Sequence, residues 1–370
     1  MMDRITNAMD DRFVSEKLAA AREYETKNEI AVSDRPLFHV TPAVGWMNDP
    51  NGFSVYAGRV HLFYQYHPYS TVWGPMHWGH QVTKDMIKWE QLPAALAPDT
   101  EYDEDGCFSG TAIEDKGRHI LIYTSVMKNP DGEGVLQNQS IAVGDGTEYT
   151  KIGGNPVVNG DMLPYGLSRK DFRDPKVWQE DGIYYMVAGT VDEDKKGQVV
   201  LFSSQDLVNW NFESILARND KDYGGVWECP DFFEIDGHKV LLVSPIEMVA
   251  KGYEFHNGNN SIYFIGDYDD TEKKFEVGEP FSLDYGTDFY APQTTLLPDG
   301  RRVMIAWMQS WHNLWIPQGQ MWQGMMTLPR EISLKDGRLI QRPVREIENY
   351  RSDKVILANE LVSGSCVFDG

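Results

Sequence analysis

Three carboxylates stand far apart in the chain, each in a short, proline-punctuated segment. Asp49 lies in Trp46-Met47-Asn48-Asp49-Pro50-Asn51-Gly52, Asp174 in Phe172-Arg173-Asp174-Pro175, and Glu228 in Trp227-Glu228-Cys229-Pro230. Breaking a glycosidic bond needs two carboxyl groups in different protonation states flanking it, and a third can stabilise the sugar cation. Aromatic residues flank the first and third segments, as a sugar site would want. Each segment alone has a plainer reading. Asn-Asp-Pro-Asn-Gly is turn-forming composition, and Arg-Asp-Pro suits a surface turn with a local ion pair. Glu228, between Trp227 and Cys229, is a general-acid candidate if burial raises its pKa. Together, at matching places in a repeat, the three point to one site.

The elements that must bring them together read as β-strands. Short β runs recur at Val60–Tyr64, Ile120–Tyr123, Ile183–Val187, Val240–Val243 and Val303–Trp307, separated by Gly, Asp and Asn turns. Asp49, Ser109, Asp174, Glu228 and Ala291 each open a segment leading into one of these runs, at steps of 60, 65, 54 and 63 residues. A second echo sets Thr83-Lys84-Asp85-Met86-Ile87-Lys88-Trp89 against Ser204-Gln205-Asp206-Leu207-Val208-Asn209-Trp210. A period near 60 with several strands per unit predicts an all-β fold, a five-bladed β-propeller. Its innermost strands would carry distant acids to one end of a central channel.

Around this core the chain reads as three regions. Residues 1–35 form a helical extension, with a helix at 8–28 striped by Phe13, Val14, Lys17, Leu18 and Ala21. Residues 36–346 form the propeller. Residues 347–370 read as a linker (Ile347–Arg351) and the first strands of a further unit, at 355–359 and 365–368.

The formal charge of −22 and pI near 4.7 exclude nucleic acid and anionic membrane surfaces as partners. Cys107, Cys229 and Cys366 are an odd set without metal-ligand spacing, which fits reduced thiols in a cytoplasm. The first 35 residues show neither a signal core nor a transit-peptide composition. No segment approaches the length of a membrane span. Asp103-Glu104-Asp105-Gly106 does not match a calcium loop. No metal and no cofactor are expected.

The three segments, in this order, resemble the β-fructofuranosidases of glycoside hydrolase family 32: invertases, sucrose-6-phosphate hydrolases, inulinases and levanases. The resemblance covers about residues 36–350. It extends to Phe63-Tyr64-Gln65, Trp73-Gly74-Pro75-Met76-His77-Trp78-Gly79-His80 and Phe108-Ser109-Gly110. It implies Asp49 as nucleophile, Glu228 as acid/base and Asp174 as transition-state stabiliser, in a double displacement that retains anomeric configuration. It also implies that Asn48, Gln65, Trp73, Phe108, Ser109 and Arg173 hold the fructose ring. Tyr290 and Trp311 are weaker candidates for the rim, whereas Trp315 and Trp322 read as packing. His67, His77 and His80 read as structural hydrogen bonders.

The expected substrate is a small sugar: sucrose, sucrose 6-phosphate or a short fructo-oligosaccharide. The family normally carries a β-sandwich after the propeller, which this sequence begins and does not complete, so homo-oligomerisation stays open. Three alternatives differ in class or product. A fructosyltransferase would pass the same intermediate to a sugar. A non-catalytic carbohydrate-binding propeller would have lost one of the three acids, and all three are present. An inverting propeller glycosidase acting on arabinose polymers is disfavoured by the wording around Asp49 and Glu228.

Overall fold

The computed structural model describes residues 14–312 and 319–352, together with Ile5 and Gly364. Among the described residues, five large sheets built of antiparallel strands, the first extended by one short parallel strand, stand around a common axis. Their innermost strands are Gly45–Tyr56, Gly106–Asp115, Arg173–Glu180, Trp227–Ile235 and Tyr290–Leu296, in blades one to five. Each packs on the next, and the fifth packs on the first. The chain is a five-bladed β-propeller. All five β runs found in the sequence are second strands of blades. In four blades the first strand reaches the second through a two-residue turn with both residues left-handed: Ala57-Gly58, Lys116-Gly117, Asp181-Gly182 and Asp236-Gly237. That geometry matches the twist of a hairpin.

Apolar side chains gather between blades. Five buried clusters lie one at each blade interface, such as Phe63, Trp78, Leu121 and Tyr123 between blades one and two. The ring is closed by the segment that links the second and third strands of blade five. Trp322–Gln323 pairs in parallel with Gly45–Trp46, and Gly45 N donates to Met321 O at 2.8 Å. Gly324, with φ 88°, lets this strand come so close that a Cβ there would sit 2.1 Å from Met47 O.

The second sequence echo is a repeated turn between third and fourth strands. Asp85 Oδ1 accepts from the amides of Ile87 and Lys88, and Asp206 Oδ1 from those of Val208 and Asn209. Met86 and Leu207, inside these turns, are both left-handed.

The N-terminal helix spans Glu16–Lys27, with Ser15 as its cap accepting from Leu18 N at 3.1 Å. It starts later than the apolar stripe suggests, because Val14 is exposed and precedes the cap, while Leu18 and Ala21 are buried. Residues 8–13 lie outside the described residues. The segment expected as a linker is a 3-10 helix, Arg345–Tyr350, docked on the propeller. Ile347 and Tyr350 pack on the core, and Arg301 binds Glu346. The strands expected at 355–359 and 365–368 lie outside the described residues.

Candidate active site

Every innermost strand carries the same irregularity. Three residues of the inner strand run against two of its neighbour, from Met47 to Pro50, Cys107 to Gly110, Arg173 to Lys176, Glu228 to Asp231 and Tyr290 to Gln293. A bulge re-aims side chains at the end of a strand, and here it does so five times around one channel. Asp174, Cys229 and Ala291 occupy equivalent places and all have φ near the left-handed region, at 63°, 48° and 53°. Each is followed by a proline. The repeat read from the sequence is thus correct in period but staggered. Glu228 holds the first bulge position, Asp174 the second and Asp49 the third.

That stagger brings the acids together. Asp49 Oδ1 accepts from Asn48 Nδ2 at 2.9 Å, and Oδ2 from Ser109 Oγ at 2.7 Å. Asp174 Oδ2 accepts from Cys229 N at 3.0 Å. The Cys229 thiol lies 3.7 Å from Asp49 Oδ2 and 3.6 Å from Asp174 Oδ2, so one sulfur touches both carboxylates. Glu228 Oε1 accepts from Arg173 Nε at 3.0 Å and from its Nη2 at 2.9 Å, and Oε2 accepts from the Tyr290 hydroxyl at 2.5 Å. Gly189 permits this approach, since a Cβ there would lie 2.3 Å from Trp227 O.

Electrostatics follow from this crowding. Burial, then the Glu228 charge, pushes Asp49 above its ordinary value, while Asn48 and Ser109 pull it back. Burial pushes Asp174 up to about 7; Arg173 opposes this, and Glu228 and Asp49 add to it. Burial and the Glu228 carboxylate together hold the Tyr290 phenol well above its usual range. The Asp49 charge thus bears directly on Asp174, one carboxylate of the cluster acting on another.

The surrounding residues divide by contact. Asn48 is buried, and its Oδ1 accepts from Trp46 Nε1 at 2.7 Å, which fixes the amide toward Asp49. Asn51, with its amide turned to suit its neighbours, donates to Ser109 Oγ at 3.3 Å and accepts from Gln65 Nε2 at 3.1 Å. Gln65 Nε2 also donates to Cys107 O at 2.9 Å, so its amide nitrogen is committed to the protein. Trp73, 45% exposed, stands edge-on to Phe108 with ring centroids 5.9 Å apart. Arg173 also reaches Gln137 and Asp171 at 3.3 and 3.5 Å, which makes it the counter-charge of the cluster.

Tyr290 is buried against Glu228, and it does not sit on the rim as expected. Trp311 is half-buried and stacks on Trp46 at 5.8 Å. Trp322 is buried, with Nε1 on Asp34 O at 3.2 Å; Trp315 lies outside the described residues. His67 and His77 bind backbone carbonyls, and His80 binds His61. Among the described residues no group of His, Cys, Asp or Glu is placed to hold a metal. None of their helices is long and apolar enough to cross a membrane.

Three contributors have no sequence signal of their own. Trp46 and Cys229 lie inside the motifs, yet their contacts depend on the bulge. Thr124, from a second strand, accepts from Asp174 N at 2.9 Å.

Residues 39–343 match the model described as "Glycosyl hydrolases family 32 N-terminal domain". The chain belongs to glycoside hydrolase family 32. It is 42% identical over 322 residues to the raffinose invertase of Escherichia coli, covering 85% of this chain and 66% of that protein. It is 41% identical over 339 residues to an E. coli sucrose-6-phosphate hydrolase, covering 90% and 69%. The chain therefore spans about two thirds of the length of these relatives. Among solved structures, a GH32 β-fructofuranosidase of Bombyx mori superposes with a TM-score of 0.83 at 39% identity, over 91% of this chain and 72% of that one. A mutant of the same Bombyx enzyme in complex with sucrose gives 0.84 at 39% identity, over 92% and 73%.

Proposed function

We propose that this chain is a retaining β-fructofuranosidase acting on sucrose, sucrose 6-phosphate or a short fructo-oligosaccharide. The observation that carries the reading is the constellation itself: carboxylates from three blades, joined through Cys229 and Arg173, with each member oriented by a separate donor. Asn48 and Ser109 favour the ionised form of Asp49 that a nucleophile needs. Asp49 attacks the anomeric carbon of the fructosyl unit while Glu228 gives its proton to the leaving oxygen. The carbon–oxygen bond breaks and a fructosyl–Asp49 ester forms. Glu228, now ionised and held by Arg173 and Tyr290, takes a proton from water. That water attacks the same carbon, releasing fructose and Asp49 with the original configuration. Asp174 accepts hydrogen bonds from fructose hydroxyls and stabilises the developing cation.

The test is fructose release from sucrose and sucrose 6-phosphate by wild type and by Asp49→Asn. Release by wild type alone supports the reading, and the preferred sugar identifies the substrate. Elongated oligosaccharide in place of free fructose would assign transfer to a sugar acceptor. No product from either sugar or from inulin would overturn the proposal.

A further inference from the structure

We infer that the N-terminal helix belongs to the substrate-binding apparatus, with Tyr24 bracing the 68–76 loop and so positioning Trp73. This rests on the sugar-cleaving reading of the pocket above. The helix has a firm base on the outer strand of blade one. Leu18 and Ala21 are buried, Arg22 Nε donates to Ala94 O at 2.9 Å, and Glu25 Oε2 accepts from Ala94 N at 3.2 Å. Lys17 Nζ donates to Pro98 O at 2.6 Å.

From that base Tyr24 meets Tyr69 edge to face, with ring centroids 5.1 Å apart and planes at 75°. Tyr69 in turn meets His77 at 6.0 Å and His67 at 6.1 Å. His67 Nδ1 lies 2.9 Å from Val72 O, and its ring lies against Gly74, where a Cβ would approach to 2.4 Å. The 68–76 loop has no regular structure, and Tyr69, Val72 and Trp73 are 44%, 58% and 45% exposed. A loop with so little burial keeps its shape through a few contacts. Besides the buried Met76, whose carbonyl accepts from Cys107 N at 2.9 Å, they are the rings of Tyr24, Tyr69 and His67 and the His67 hydrogen bond to Val72 O. Val72 is the residue before Trp73, whose edge faces Phe108 beside Ser109. Tyr24 supplies the outer support of that series. Tyr24 is a positioning residue, remote from the reacting atoms. Its loss leaves Trp73 to be ordered at the moment of binding, and that cost falls on KM.

The experiment compares Tyr24→Ala and Tyr24→Phe with wild type, each as the full chain. Hydrogen exchange of the 68–76 loop is read without substrate, and kcat and KM are read with sucrose. In Tyr24→Ala, exchange should rise in 68–76 while the inner strand Gly45–Tyr56 keeps its protection. KM should rise about 3- to 10-fold, the factor carried by one aromatic pair, with kcat within about 2-fold. The contact is made by the ring, so Tyr24→Phe should match wild type in both readouts. Unchanged exchange in 68–76, raised exchange with unchanged KM, or exchange rising throughout blade one would each overturn the inference. If wild type cleaves no fructoside, the sugar reading fails by itself, and the exchange readout still decides the brace.

Discussion

Blade three and blade four are joined inside the channel by two ion pairs, Arg173–Glu228 at 2.9 Å before the bulge and Lys176–Asp231 at 3.3 Å after it. Blade five supports both. Tyr290 donates to Glu228, while Thr294 donates to Asp231 from N at 2.7 Å and from Oγ1 at 2.9 Å. The frame is the same and the charge balance differs. Beyond the bulge, a single buried carboxylate faces Lys176, which also donates to Thr294 O at 2.6 Å. Arg302 completes this set through Thr294 Oγ1 at 3.0 Å. Before the bulge, one guanidinium serves a group containing Glu228, Asp174 and, through the Cys229 thiol, Asp49. The set in which two cations face one carboxylate latches blades together. The carboxylate-rich set holds acids that share too few cations, which is the condition for moving a proton at neutral pH.

The two ends should differ most at Asp49. Asp49→Asn removes a carboxylate from the crowded set, and fructose release should fall on the order of 10⁴-fold. Its melting temperature should equal or exceed that of wild type, because a like-charge contact disappears. The opposite pattern is expected past the bulge. Lys176→Met leaves Asp231 buried without its ion partner, which should cost about 3–5 kcal/mol in urea unfolding. Its kcat/KM, measured well below the melting temperature, should stay within about 2-fold of wild type. A large loss of activity in Lys176→Met, with stability unchanged, would erase the distinction between the two ends.

A pH series sharpens it further. Burial first, then its acidic neighbours, raises Asp174 from the ordinary 3.8 to about 7 despite Arg173. As pH rises from about 4 to about 7, the unfolded chain releases a proton that the folded protein keeps, so this group lowers stability across that window. Asp174→Asn should match wild type below that window and be more stable at pH 7 by on the order of 1–3 kcal/mol, measured by denaturant midpoint at each pH. The smallest effect is expected at Tyr290. Tyr290→Phe removes one of the hydrogen bonds on Glu228 and should lower kcat about 10-fold with an altered pH–rate profile. Stability should hardly change.

Period and motif made the propeller and its acids legible from sequence, because every β run marks a second strand and every acid lies just before one. The stagger was not legible. Equal spacing treats Asp49, Asp174 and Glu228 as equivalent, whereas register places them at three successive bulge positions in their blades. The contacts made by Cys229, Tyr290 and Thr124 were hidden for the same reason, since they join residues of different blades and depend on backbone direction at left-handed positions. Residues near 347 looked like a linker because their acids and Arg351 are polar. Ile347 and Tyr350 in fact supply an apolar face that docks on blade one and its neighbours.

A covalent bond from the sugar to Asp49 is visible directly by intact-protein and peptide mass spectrometry. Glu228→Gln would be incubated with a fructoside bearing a good leaving group, so that the ester can form and hydrolysis is slowed. The account predicts an added mass of one fructosyl residue, mapped to the peptide containing Asp49 and absent from the Asp49→Asn, Glu228→Gln double variant. Turnover without any adduct, or an adduct on a residue other than Asp49, would contradict it.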